Sequence, residues 1–186
     1  MKVERSEILR LEEYDARRPD IRAKVLVEKR RRRVHVGPLT FLFENPETVR
    51  YQVHEMARAE RLYLEEELRH ELDTYNELLG GPGELGCSLL IELADPVERG
   101  AKLRAWRELP AHLYVKLPDG RRVRARYDPR QVGDDRLSSV QYLKFPVGAG
   151  APVGVGSDLP GLELETTLDA DQRAALQADL AAAAAA

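Results

Sequence analysis

An α+β fold, with a mostly antiparallel sheet packed on one long central helix and several smaller helices, is predicted by three features of this sequence. Pro118-Asp119-Gly120 separates two strand-forming runs, Leu113–Leu117 and Arg122–Tyr127, and carries the turn chemistry of a tight hairpin. Gly37-Pro38 does the same between Val34-His35-Val36 and Leu39–Phe43. Turns this short join antiparallel neighbours, because a parallel crossover needs a much longer connection. Asn45-Pro46 then opens a helical period that reaches about Leu72: an Asx oxygen takes an orphan amide, and Pro has none to leave unpaired.

Taken in order, Ser6 caps a short amphipathic helix through Ile8, Leu9 and Leu11 to about Tyr14, ending before Arg17-Arg18-Pro19-Asp20. A second helix starts at Asp20, with Ile21, Val25 and Leu26 inward, and runs into the basic block Lys29–Arg33. Cations at a helix C-terminus suit the dipole, so this block reads as solvated or paired with the many Glu residues. After the long helix, Gly80-Gly81-Pro82-Gly83 forces a stop, and Cys87–Leu93 reads as a buried strand. Asp95-Pro96-Val97-Glu98 supplies a cap, a first-turn Pro and a capping-box Glu for a helix to about Trp106. Val140, Tyr142, Leu143 and Phe145 mark another strand, Leu162–Thr166 an edge strand, and Asp169 with Gln172 the start of a last helix. Strands are therefore expected near 34–43, 86–93, 112–127 and 138–146. Residues 1–147 are expected to form a single α+β domain and 148–161 a Gly-rich, mobile loop. Residues 162–186 then add a C-terminal strand and helix of the same domain.

Composition narrows the function classes. Among 186 residues, 29 are Lys or Arg and 32 Asp or Glu, giving a net charge of −3 that argues against bulk attraction to nucleic acid or anionic membrane. No uncharged apolar run is long enough for a span, and Met1-Lys2-Val3-Glu4-Arg5 lacks a signal-peptide core, so cytoplasm is the expected compartment. The one cysteine, Cys87, rules out an internal disulfide or a cysteine-built cluster within one chain, and reads as a core residue.

Within the long helix, Val49, Val53, Met56, Tyr63 and Leu64 make an apolar stripe, while Arg50, His54, Arg58 and Arg61 gather on another face. Glu60 and Glu67 fall near the middle of that stripe, with Gln52 and His70 on its flank. Carboxylates there are either buried with partners, an Arg being the natural one for Glu60, or mark a break in the helix.

With these segments placed, the chain resembles a bacterial family known as domain of unknown function 3501. The resemblance rests on Leu11-Glu12-Glu13-Tyr14, Arg32-Arg33-Val34, Phe43-Glu44-Asn45, the central Arg50–Glu60 run, Glu71–Asn76 and Ser139–Tyr142, and covers most of the chain to Val147. It implies family positions at Gln52, Glu55, Met56, Arg58, Glu60, Tyr75 and Asn76; the family pattern has Gln at position 54 and no His at position 70. It also implies, by the company the family's genes keep, an accessory role beside rubrerythrin-like or iron–sulfur oxidoreductases.

Two function classes follow. As a binding or accessory protein for a redox or peroxide-defence partner, the chain would dock through the Arg50, His54, Arg58, Arg61 face or through Arg122, Arg124 and Arg126; Gln52, Glu55, Arg58, Glu60 and Asn76 either line a ligand pocket between the long helix and the sheet or tie helix to strands as a structural network. As a small metal- or ligand-dependent enzyme it would use the same helix. Glu67 and His70, three apart, are then half of a metal site whose other ligands the sequence does not supply, so no cofactor is expected.

Overall fold

In the computed structural model, which describes residues 2–185, Gly37 turns the chain at φ 56° between β1 (Arg33–Val36) and β2 (Leu39–Glu44). Met1, and the expected C-terminal bound at 186, lie outside the described residues. The structure is α+β, with six α-helices and two antiparallel sheets among the described residues. The first sheet has the order β1-β2-β3-β6, adding β3 (Leu85–Ile91) and β6 (Val140–Phe145). The second, β5-β4-β7-β8, is built from β4 (Leu113–Lys116), β5 (Arg122–Arg124), β7 (Gly154–Leu159) and β8 (Leu162–Thr167).

Register decides what is buried. Phe43 lies opposite Cys87 and Cys87 opposite Leu143, so these side chains share the inner face of the first sheet. Val115 opposite Val155 does the same in the second sheet. The two inner faces join Leu103 of α4 (Pro96–Ala105), Leu109 of α5 (Leu109–His112) and Leu176 and Leu180 of α6 (Ala170–Ala184) in one apolar core. Each fully buried Leu or Phe there contributes roughly 1.5–3 kcal/mol. A second, smaller cluster of Val3, Ile8, Val49, Val53, Leu72 and Leu79 belongs to the helical layer. Buried Arg32 ties the two layers together: it grips Asp179 of α6 through two bonds of 2.7 and 2.9 Å and Glu28 at 2.5 Å.

Four expectations change. The two N-terminal helices are one, α1 (Leu11–Arg31), which runs through Pro19. A mid-helix Pro costs about 3 kcal/mol, but Tyr14, Arg18, Arg22 and Val25 hold both halves of α1 against the next helix. The long helix expected over Pro46–Leu72 is instead two, α2 (Pro46–Glu60) and α3 (Glu65–Asn76). The single sheet is two sheets. The Gly-rich segment 148–161 contains β7, an internal strand. Its glycines serve close approach: a Cβ on Gly156 would sit 2.3 Å from the Leu164 carbonyl oxygen and 2.6 Å from the Tyr114 hydroxyl.

After β5 the chain returns along the outer edge of β6. Arg126 and Lys144 exchange both backbone bonds, at 2.7 and 2.8 Å. Beyond them the Gln131 side-chain amide accepts from the Tyr142 N–H at 2.8 Å and donates to the Tyr142 carbonyl at 3.1 Å, standing in for a strand.

Candidate functional site

The break between α2 and α3 disperses the residues that periodicity placed together. Continuing α2 by one turn would drive Glu60 and then Leu64 into the stripe of Val49, Val53 and Ala57; instead Arg61 takes the left-handed conformation at φ 54° and Glu60 turns out to water. Glu60 is exposed and has no hydrogen-bond or ion-pair partner among the described residues, so the expected buried arginine pair does not form. Of the two readings of a carboxylate in that stripe, the helix break holds. Glu67 caps α3 through the Leu64 N–H at 3.3 Å, and His70 is exposed.

The other four residues face two directions. Glu55 accepts from the Tyr14 hydroxyl at 2.5 Å and from Arg18 at 2.7 and 2.8 Å, and these bonds, the arginine's first, hold its carboxyl down at about 2. Arg58 bonds Asp15 at 2.6 Å. Both therefore tie α2 to α1. Asn76 clasps the N-terminal segment, accepting from the Val3 N–H at 2.9 Å and donating to the Val3 carbonyl at 3.0 Å. Gln52 stands beside the Tyr75 hydroxyl. Gln52, Glu55, Arg58, Glu60 and Asn76 thus do not line one pocket.

The two cationic faces are also largely neutralised within the chain. Arg50 pairs with Glu7 at 2.5 Å. His54 is 4% exposed, stacks on Tyr14 with ring centroids 4.5 Å apart, and accepts the Leu9 N–H at 2.9 Å; burial pushes its imidazole down to about 4, so it is neutral. On the second sheet, Arg124 grips Asp158 at 2.8 and 2.5 Å, His112 meets the same carboxylate at 2.9 Å, and Arg122 and Lys116 bond Glu165 at 3.1 and 2.7 Å. Beneath them Tyr114, 1% exposed, lies over Gly156 to donate to Glu165 at 2.9 Å. The Arg122 guanidinium covers its ring at 4.2 Å. Burial first and then the Glu165 bond push the Tyr114 hydroxyl up to about 12.

A cleft of about 910 Å³ lies between the end of α3 and the edge of β6. Tyr75, Asn76, Arg126, Tyr127, Gln131, Tyr142 and Lys144 line it, and Lys2 reaches its rim. Strand alternation explains the wall: Gln141, Leu143 and Phe145 point inward, which sends Tyr142 and Lys144 out. Tyr142 is 45% exposed, and neither Lys144 nor Lys2 has an ion-pair partner among the described residues. Cys87 lies behind this wall, buried, with its thiol pushed well up by desolvation, and is a core residue. Val140, Tyr142, Leu143 and Phe145 mark the strand in the sequence but leave the face of Tyr142 unassigned, since Tyr142 and Leu143 are adjacent and point to opposite sides. The polar Gln141, buried on the inner face of the first sheet, hides that alternation from the sequence.

Among the described residues no helix is long and apolar enough to cross a membrane, and no group of three or more His, Cys, Asp or Glu could hold a metal ion. No curated protein matches the sequence significantly. The fold is similar to a crystal structure from Burkholderia pseudomallei K96243, described as a novel protein of unknown function. The two are 32% identical, with a TM-score of 0.89 over 97% of this chain and 100% of that one. A family model described as a protein of unknown function (DUF3501) matches residues 2–180, and the chain belongs to that family.

Proposed function

We propose that this protein is an accessory binding protein, and that the cleft between α3 and β6 receives a segment of its partner. The observation that carries the reading is the contrast in pairing: the cationic faces elsewhere are largely closed by the chain's own carboxylates, while the cleft presents Tyr142 and Lys144 with their binding capacity unspent. An exposed aromatic ring beside a free ammonium suits a partner segment that brings an apolar side chain next to a carboxylate. The family resemblance supplies the class of partner, a rubrerythrin-like or iron–sulfur protein of redox or peroxide defence.

Calorimetric titration of the purified protein with such a partner from the same organism tests this. Tyr142→Ala and Lys144→Glu are each expected to weaken binding at least about tenfold, the effect of losing an interface anchor. Wild-type protein that binds neither class of partner at low salt would sink the partner assignment. Variants that bind as well as the wild type would remove the cleft from the interface.

A further inference from the structure

We infer that the outward face of α1 is the interface of a symmetric antiparallel dimer of this chain. A solvent-facing line of this helix repeats at helical spacing through Ala16, Pro19, Ala23, Leu26, Val27 and Arg30. Exposed helix positions usually carry charged side chains, yet Leu26 is 44% and Val27 52% exposed here.

The charges of α1 select the occupant. Asp15 and Arg18 pair with Arg58 and Glu55 on another element, the capping Arg32 with Asp179, and Arg17 and Arg31 with Glu13 and Glu28 of α1 itself. Arg22 bonds the Tyr51 hydroxyl, and Lys29 lies over the Tyr51 ring. Four charged side chains of this helix have no such partner among the described residues: Glu12 and Asp20 toward its N-terminal end, Lys24 and Arg30 toward its C-terminal end. A parallel copy would set acid against acid. An antiparallel copy lays the acidic end of each helix toward the basic end of the other, twice over, because the contact is isologous.

The geometry then follows from the small residues. With the two-fold axis at Ala23, the absence of a bulky side chain lets the helices approach to the usual 8–10 Å. Val27 packs on Pro19 of the second copy, Asp20 meets its Lys24, and Arg30 reaches its Ala16 turn. There the Asp15 carbonyl lacks the amide that Pro19 cannot supply. A single helix pair about 21 Å long covers less than a standard interface of roughly 1,200–2,000 Å², so association in the micromolar range is expected.

Sedimentation equilibrium of the full chain at low salt, from about 5 to about 500 µM, tests the inference at the affinity scale expected. The wild type should move from its 21.0 kDa mass toward twice that value. Val27→Lys changes a side chain in contact with water and leaves the fold intact, and should weaken the dimer at least about tenfold. Asp20→Lys and Lys24→Asp should each weaken it, and the two together should restore it, since the exchanged charges meet again across the axis. A wild type that stays monomeric throughout overturns the inference, as does a dimer indifferent to Val27→Lys. A double exchange no better than either single change would overturn the antiparallel register.

Discussion

The outer face of the second sheet and the cleft beside β6 are both rich in arginine, lysine and tyrosine, but they are chemically opposite. In the first, Tyr114, Arg122, Arg124, His112 and Lys116 close on Asp158 and Glu165, so charge and hydroxyl are consumed in holding four strands together. In the second, Tyr142 and Lys144 stand on a wall whose neighbours leave them unpaired. The density of charged residues does not mark a binding surface; the pairing state of each residue does.

The sharpest way to break this comparison is at Gly156. A Cβ there collides with the Leu164 carbonyl and displaces the Tyr114 hydroxyl from Glu165, so Gly156→Ala should cost about 3–5 kcal/mol in denaturant unfolding. A stable Gly156→Ala protein would mean that the closed face is not a keystone of the fold.

A second closed network, between α1 and α2, is read by pH. His54 is held neutral with its folded value depressed to about 4, so its contribution is fully present above the unfolded value near 6.5 and is lost as pH falls from there toward 4. The loss is on the order of 3 kcal/mol. Glu55, depressed to about 2, adds a further decline as pH falls from about 4.5 toward 2. Thermal unfolding across this range should show His54→Gln keeping the stability that the wild type loses between pH 6.5 and 4. Equal pH dependence in both proteins would show that His54 is not the titrating group.

Smaller effects separate the two surfaces directly. Asp158→Asn weakens a partly solvated ion pair and should cost about 1 kcal/mol. Lys144→Ala, in the cleft, should change stability by no more than about 0.5 kcal/mol, because no carboxylate among the described residues pairs with its ammonium. If Lys144→Ala proved the more destabilising of the two, the division into closed and open surfaces would be reversed.

Much of the fold was legible in local chemistry. Asn45, Asp95 and Asp169 cap the helices they were expected to cap, and the turns at Gly37 and Gly120 join antiparallel strands. Tertiary effects hid the rest. Pro19 reads as a terminator until the contacts of Arg18 and Arg22 with α2 are known, and the glycines of β7 read as slack until Tyr114 is seen lying across one of them. At the candidate site, Tyr75 and Asn76 were within reach of motif reasoning. Tyr142 carried the family resemblance without pointing to a site, and Lys144 and Gln131 were out of reach, because the three meet only when a returning segment lies along β6.

That returning segment has a consequence for solubility. An outer strand with free N–H and C=O groups is a template on which other chains polymerise, and proteins usually defend such strands with charge, bulges or a covering helix. Here the defence at Tyr142 is one carboxamide, which satisfies both main-chain groups without offering a neighbour anything to extend. Replacing Gln131 by alanine would leave a folded molecule with a short adhesive rim, prone to assemble edge to edge into fibrils at concentrations where the parent stays clear.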